Sequence, residues 1–214
     1  AIREDLEGIE FLTLMTLPVL FTLAVSLFYF LLPQRLLTRL PIALLYAVGM
    51  YAVLLTENIY NVSAERSIAL LRAAQSVGFL ISLVTAFFLI ETVLSFHLNA
   101  FLAGALVSVP MFFLILQSLW SMKLGNAVTK DVLIGSLIIT LVIVETVVVL
   151  SFWPVKTTIA ALFLTTEYYT LVGMTQQYLV ERLFDKTKKE FSMVLFLVLL
   201  LMIFATKWGF GNFV

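Results

Sequence analysis

Seven long apolar stretches, parted by short polar or proline-bearing breaks, run the length of this chain. A helix needs about 20 mostly apolar residues to cross hydrocarbon, with a range of about 17–25. The runs at roughly 10–32, 41–56, 68–95, 99–120, 131–153, 156–180 and 191–210 meet that need or come near it, the second being the shortest. Pro33, Pro41, Gly125-Asn126, Pro154 and the charged stretch 181–190 mark the breaks. The expected fold is all-α: a polytopic membrane helical bundle of about seven transmembrane helices. The connections are too short to hold a soluble domain, so residues 1–214 read as a single integral membrane domain.

Composition supports the same solvent. Hydrophobic residues make up 62% of the 214 and charged residues only 12%. Soluble domains carry about 45–50% apolar and about 25% charged residues. The mean hydropathy is +1.11. Thirteen Lys and Arg balance thirteen Asp and Glu, and the basic residues lie in short connections, so no nucleic-acid partner is expected. Without cysteine there is no disulfide, thiolate metal site or palmitoylation. The acidic leader AIREDLEGIE differs from a secretory signal, and the first apolar run reads as a retained span.

Basic residues set the expected threading. Arg3, Arg66, Arg72, Lys123, Lys130, Arg182, Lys186, Lys188 and Lys189 fall on the face of the N-terminus. Arg35, Arg39, Lys156 and Lys207 fall on the other. This excess places the N-terminus in the cytoplasm and the C-terminus outside, in a bacterial inner membrane. The sequon Asn61-Val62-Ser63 then faces the cytoplasm. Ser63 is a suitable N-cap and Glu65 suits a helix N-terminus, so the third helix is expected to begin ahead of its span.

Carboxylates inside these runs carry the chemical interest, because a charge in hydrocarbon is expensive and usually faces a bundle interior or a wet cavity. Glu91 in FFLIETVLSF and Glu145 in LVIVETVVVLSF lie in passages that echo each other, Glu-Thr-Val then Leu-Ser-Phe with a two-residue slip. The echo suggests helices 3–4 and 5–6 as parallel repeats. Glu145, counted back from Pro154, should lie deep and desolvated; Glu91 should lie shallower, free to reach the interface, with His97 at the following turn.

The sixth run is the most polar. Glu167, Thr170, Gln177 and Glu181 share one helical face, beside Thr166 and Gly173. That face should line the interior or a hydrated cleft. An ion- or substrate-binding set of Glu145, Glu167, Thr170, Gln177, Glu91 and His97 follows, centred on Glu145 and Glu167; a packing seam of interhelical hydrogen bonds is the plainer alternative.

Other chemistry lacks its residues. One histidine and no Glu-x-x-His spacing exclude zinc and carboxylate-bridged di-iron sites. There is no nucleophile elbow and no phosphate-cradling glycine loop. No cofactor is expected. A retinal Schiff base would require Lys207, which reads better as an interfacial anchor with Trp208. Ala100, Gly104 and Ser108 form a small-residue stripe for close helix approach, and Pro110 should kink that helix. Tyr46, Gly49, Met50, Val53 and Glu57 recur at helical spacing in the second run. Trp120, Trp153, Trp208 and Tyr60 near the span ends suit an aromatic belt.

The segment LLTENIYNVSAERSIALLRAAQSVGFL, residues 54–80, resembles uncharacterised multi-pass membrane proteins of bacteria. The resemblance covers most of the chain and implies no activity and no functional residue. The expected partners are the lipid bilayer and other membrane proteins. The favoured role is an accessory or scaffold subunit. A small channel or ion- or proton-coupled transporter using interior carboxylates is the alternative, and a retinal- or pigment-binding protein comes third.

Overall fold

A computed structural model describes residues 9–61, 68–124 and 128–206. Among these, seven α-helices and no strands occur. They are α1 (Ile9–Leu31), α2 (Leu36–Asn61), α3 (Ile68–Ser95), α4 (Ala100–Trp120), α5 (Lys130–Leu150), α6 (Thr157–Leu179) and α7 (Asp185–Ala205). Helices α1 to α5 are each long and apolar enough to cross a membrane. The exterior is correspondingly greasy: Phe101, Val109, Ile138 and Phe196 all project outward. Only a lipid surround makes such a surface economical.

Short connections between packed neighbours make successive helices antiparallel. One end of the bundle therefore gathers the start of α1, the α2–α3, α4–α5 and α6–α7 connections; it is called the N-terminal end below. Helix α3 is central, packing on α1, α2, α4 and α6, while α4 lies most extensively along α5. Helix α6 touches α3, α4, α5 and α7, whereas α7 packs chiefly on α6. The core sits between α3, α4 and α6, where Met111, Leu114, Ile115, Leu119, Leu164 and Tyr168 are fully buried.

Five expected boundaries move by three residues or more: both ends of α2, now Leu36 and Asn61, the end of α5, and both ends of α7, now Asp185 and Ala205. Helix α2 begins at Leu36, ahead of Pro41, which it carries within its second turn. Pro41 is the sixth residue of the helix, past the first four N–H groups, so it leaves the Leu37 carbonyl without its intrahelical donor. Helix α7 begins at Asp185, so most of the expected charged loop is its first turn and a half. Asp185 suits the positive helix end and accepts from Lys188 at 3.0 Å. Helix α5 ends at Leu150, three residues short of the expected limit. The expected N-cap at Ser63, the Gly125-Asn126 turn, the sequon's Val62-Ser63 and the Lys207-Trp208 anchor lie outside the described residues.

Asn99 caps α4, its Oδ1 accepting from the Leu102 N–H at 2.8 Å. The small-residue stripe acts as expected at Gly104, where a Cβ would sit 3.2 Å from Val144 Cγ1 of α5. The aromatic belt is less regular than expected. Tyr60 and Trp120 are buried inside the bundle, and Trp153 Nε1 donates to Thr206 Oγ1 at 2.8 Å. Helix α1 packs on α2 over Gly49, whose added Cβ would lie 2.5 Å from Phe21 Cζ. Phe21 is 1% exposed and stacks on Tyr46, so it has nowhere to go. Gly49→Ala is therefore expected to destabilise the bundle by about 1–3 kcal/mol. The midpoint of unfolding in dodecyl sulfate checks this, and an additional Phe21→Leu substitution should recover part of the loss.

Candidate functional site

Three glutamates are buried at three depths: Glu57, Glu91 and Glu167. Glu57 lies four residues from the end of α2, at the N-terminal end of the bundle. Glu167 is near the middle of α6, and Glu91 lies four residues from the end of α3, at the opposite end. Their surroundings follow one pattern. Gln117 Nε2 donates to Glu57 Oε1 at 2.9 Å, Thr146 Oγ1 to Glu167 Oε1 at 2.9 Å, and Thr158 Oγ1 to Glu91 Oε1 at 2.9 Å. In each the other oxygen, Oε2, is buried without a hydrogen-bond partner. Among the described residues the ion pairs are Lys123–Asp131 and Lys188–Asp185, so none of the three carboxyls faces a basic side chain.

Helix α6 ties these carboxyls into the bundle. Along it, Thr158 reaches Glu91 of α3, and Glu167 accepts from Thr146 of α5. Tyr168 Oη donates to Ser82 Oγ of α3 at 3.2 Å. Gln176 Nε2 donates to Ser118 Oγ of α4 at 2.9 Å and to the Ser118 carbonyl at 3.0 Å. Ser118 adjoins Gln117, the partner of Glu57. Polar groups on α6 thus meet three neighbouring helices at successive depths, from one end of the bundle to the other.

The set expected from sequence is divided by this arrangement. Glu167 and Thr170 are buried as expected, with Thr170 Oγ1 3.5 Å from the Phe191 carbonyl. Gln177 is half-buried and lines a groove at the N-terminal end, while Glu181 is exposed. Glu91 is interior, not an interfacial side chain reaching for water. Glu145 is the main departure: it lies exposed on the outside of the bundle. Because α5 ends at Leu150, Glu145 is five residues from the helix end, about 7.5 Å at 1.5 Å per residue. Its neighbour Thr146 points inward instead, so the two halves of the Glu-Thr-Val echo sit in different surroundings.

His97 is exposed, with φ 50° and its Nδ1 2.9 Å from the Ser95 carbonyl. It borders a cavity of about 270 Å³ with Trp153 and Thr157 at the end opposite the N-terminus. Thr158, the partner of Glu91, and Glu167 itself are nine residues apart on α6, about 13 Å along the axis. The expected residues therefore do not converge on one centre. Glu57 and Gln117 were missed as a site, although Glu57 closes the helical stripe Tyr46, Gly49, Met50 and Val53. Among the described residues no three acidic or histidine side chains gather to hold a metal ion.

Residues 2–205 match the model of a family described as DUF5656, protein of unknown function. The chain belongs to the DUF5656 family. Neither the curated proteins nor the solved structures give a match to it. Membership in DUF5656 thus assigns no activity, and the arrangement of the interior carboxyls is the firmest guide to one.

Proposed function

We propose that this protein moves protons or small monovalent cations across a membrane, as a small channel or coupled transporter, with all seven helices crossing the bilayer. The observation that carries the reading is the shared state of Glu57, Glu91 and Glu167: each has one neutral donor and one buried, unpartnered oxygen. A carboxyl in that setting requires a positive partner, since an unpaired buried charge is strongly unfavourable. A proton or a cation passing through supplies it. Interior carboxyls of this kind mark ion pathways in membrane bundles. Helix α6 is less apolar because its polar face is turned to the other helices. The basic excess at the N-terminal end supports a cytoplasmic N-terminus in a bacterial inner membrane.

Flux into proteoliposomes carrying a pH- or cation-sensitive dye tests this. Glu167→Gln is expected to lower flux by roughly tenfold or more, as an essential interior carboxyl would. Glu145→Gln, on the outside of the bundle, should leave flux unchanged. Equal flux for wild type and Glu167→Gln would sink the proposal. A second reading, an accessory or scaffold subunit, draws support from the dense core of α4, where Met111, Leu114, Ile115 and Leu119 are 0% exposed. It predicts no flux in any variant and a membrane protein that co-purifies in fixed ratio. The pigment reading needs a Schiff base at Lys207 and predicts a visible absorption band.

A further inference from the structure

A groove of about 550 Å³ opens at the N-terminal end of the bundle. Residues of α3 and α6 make up most of its lining, joined by Met122 beyond α4 and Phe191 of α7. Its mouth carries Arg72 and Arg182, with Gln75 and Gln177 beside them, and among the described residues no carboxylate lines it. Neither arginine has an ion-pair partner among the described residues. Deeper in, Phe79, Tyr169 and Phe191 make the lining aromatic. Seven residues separate Arg72 from Phe79 on α3, so the change from basic to apolar takes about 10 Å.

The polar mouth is held in place by the fold. Gln75 Nε2 donates to the Ser121 carbonyl at 2.9 Å, tying α3 to the end of α4. Helix α6 ends with Glu181 at φ 56°, and the Arg182 N–H turns back to the Gln177 carbonyl at 2.8 Å while the Glu181 N–H meets the Tyr178 carbonyl at 3.0 Å. This is the paired hydrogen-bond arrangement of a Schellman turn, with a glutamate in the left-handed position that glycine usually takes. The turn sets Arg182 at the groove mouth. Farther down, Gly173 admits the Phe191 ring: a Cβ there would sit 2.5 Å from Phe191 Cε1.

We propose that this groove binds an anionic glycerophospholipid, its phosphate between Arg72 and Arg182 and its acyl chains against Phe79, Tyr169 and Phe191. Charge complementarity and the gradient from basic to aromatic lining select that occupant. A guanidinium pair matches a phosphodiester, and an apolar wall at membrane depth matches the chains attached to it. The volume falls in the range of about 300–1,000 Å³ typical of ligand sites. A free phosphate satisfies the arginines and leaves the aromatic half of the groove empty.

Thermal unfolding of the detergent-purified protein, titrated with phosphatidylglycerol, phosphatidylcholine or inorganic phosphate, tests the assignment. Phosphatidylglycerol should raise the unfolding temperature saturably, and the other two should not. The double substitution Arg72→Gln/Arg182→Gln should weaken the phosphatidylglycerol response by roughly tenfold or more in half-saturating concentration, the scale of lost charge-assisted hydrogen bonds. Lys156→Gln, an exposed basic residue at the opposite end, should leave the response intact. If the double variant proves unstable, Arg182→Gln alone gives the same readout. An equal response to phosphatidylcholine, an unaltered response in the arginine variants, or a loss with Lys156→Gln would overturn the site. A matching response to inorganic phosphate would replace the lipid with a free anion.

Discussion

Tyr168→Ala is expected to lower the stability of the bundle by about 3 kcal/mol, near the lower limit for emptying a large buried side chain. The lower limit applies because the separated helices already rest in lipid, so little of the loss is transfer from water. What remains is packing. Tyr168 is 0% exposed between α6 and α3, its ring stacked with Phe79 at 6.4 Å. Tyr168→Phe separates the ring from the hydroxyl. The hydroxyl donates to Ser82 Oγ, and Ser82 Oγ donates in turn to the Phe79 carbonyl at 2.7 Å. Removing the first of these bonds is expected to cost about 0.6–1.5 kcal/mol. Unfolding midpoints in dodecyl sulfate give both values. Comparable losses for the two variants would mean that the hydroxyl, not the ring, holds α6 against α3.

Gln117→Leu is expected to destabilise by about 2–3 kcal/mol, because it leaves both oxygens of the buried Glu57 carboxyl without a donor. The loss belongs to the stranded acceptor more than to the broken bond. The double variant Glu57→Met/Gln117→Leu, apolar on both sides, should therefore regain most of it. A double-mutant cycle on unfolding free energies measures the coupling. Additive losses from the two single substitutions would show that Glu57 finds another partner when Gln117 is gone. The same cycle at Thr146 and Glu167 should give smaller coupling, because the Thr146 hydroxyl also bonds the Val142 carbonyl at 3.0 Å.

The sequence was most legible where polarity changes abruptly. Helix α3 ends at Ser95, the limit expected from its apolar run, and α4 begins one residue after the expected position because Asn99 is its cap. Helix faces were harder to read, and α5 shows why. Its inward residues, Val132, Ser136, Ile139, Ile143 and Val147, are hardly less apolar than Ile138, Leu141 and Val149 on the outside. When lipid replaces water as solvent, both faces of a helix are greasy and the usual amphipathic signal fades. Glu145 was therefore placed by depth alone, from a span taken to reach residue 153. The buried serine and threonine, Ser136 and Thr140, were the better markers of the inner face. In α6 such markers are dense, and the expected face points inward at Glu167 and Thr170, but Glu181 is exposed and the buried glutamine is Gln176, not Gln177.

Sequence order gives one further meaning to the way α7 packs. Because α7 rests chiefly on α6, helices α1 to α6 can complete their mutual contacts before α7 is made. Helix α7 then closes one side of a bundle already assembled, with Phe191 seated over Gly173 and Trp153 reaching Thr206. During synthesis, the flank of α6 that carries Gly173 and Thr170 stays uncovered until α7 is in place. It is consequently a surface that a newly inserted chain leaves open to a chaperone, a neighbouring copy or a lipid.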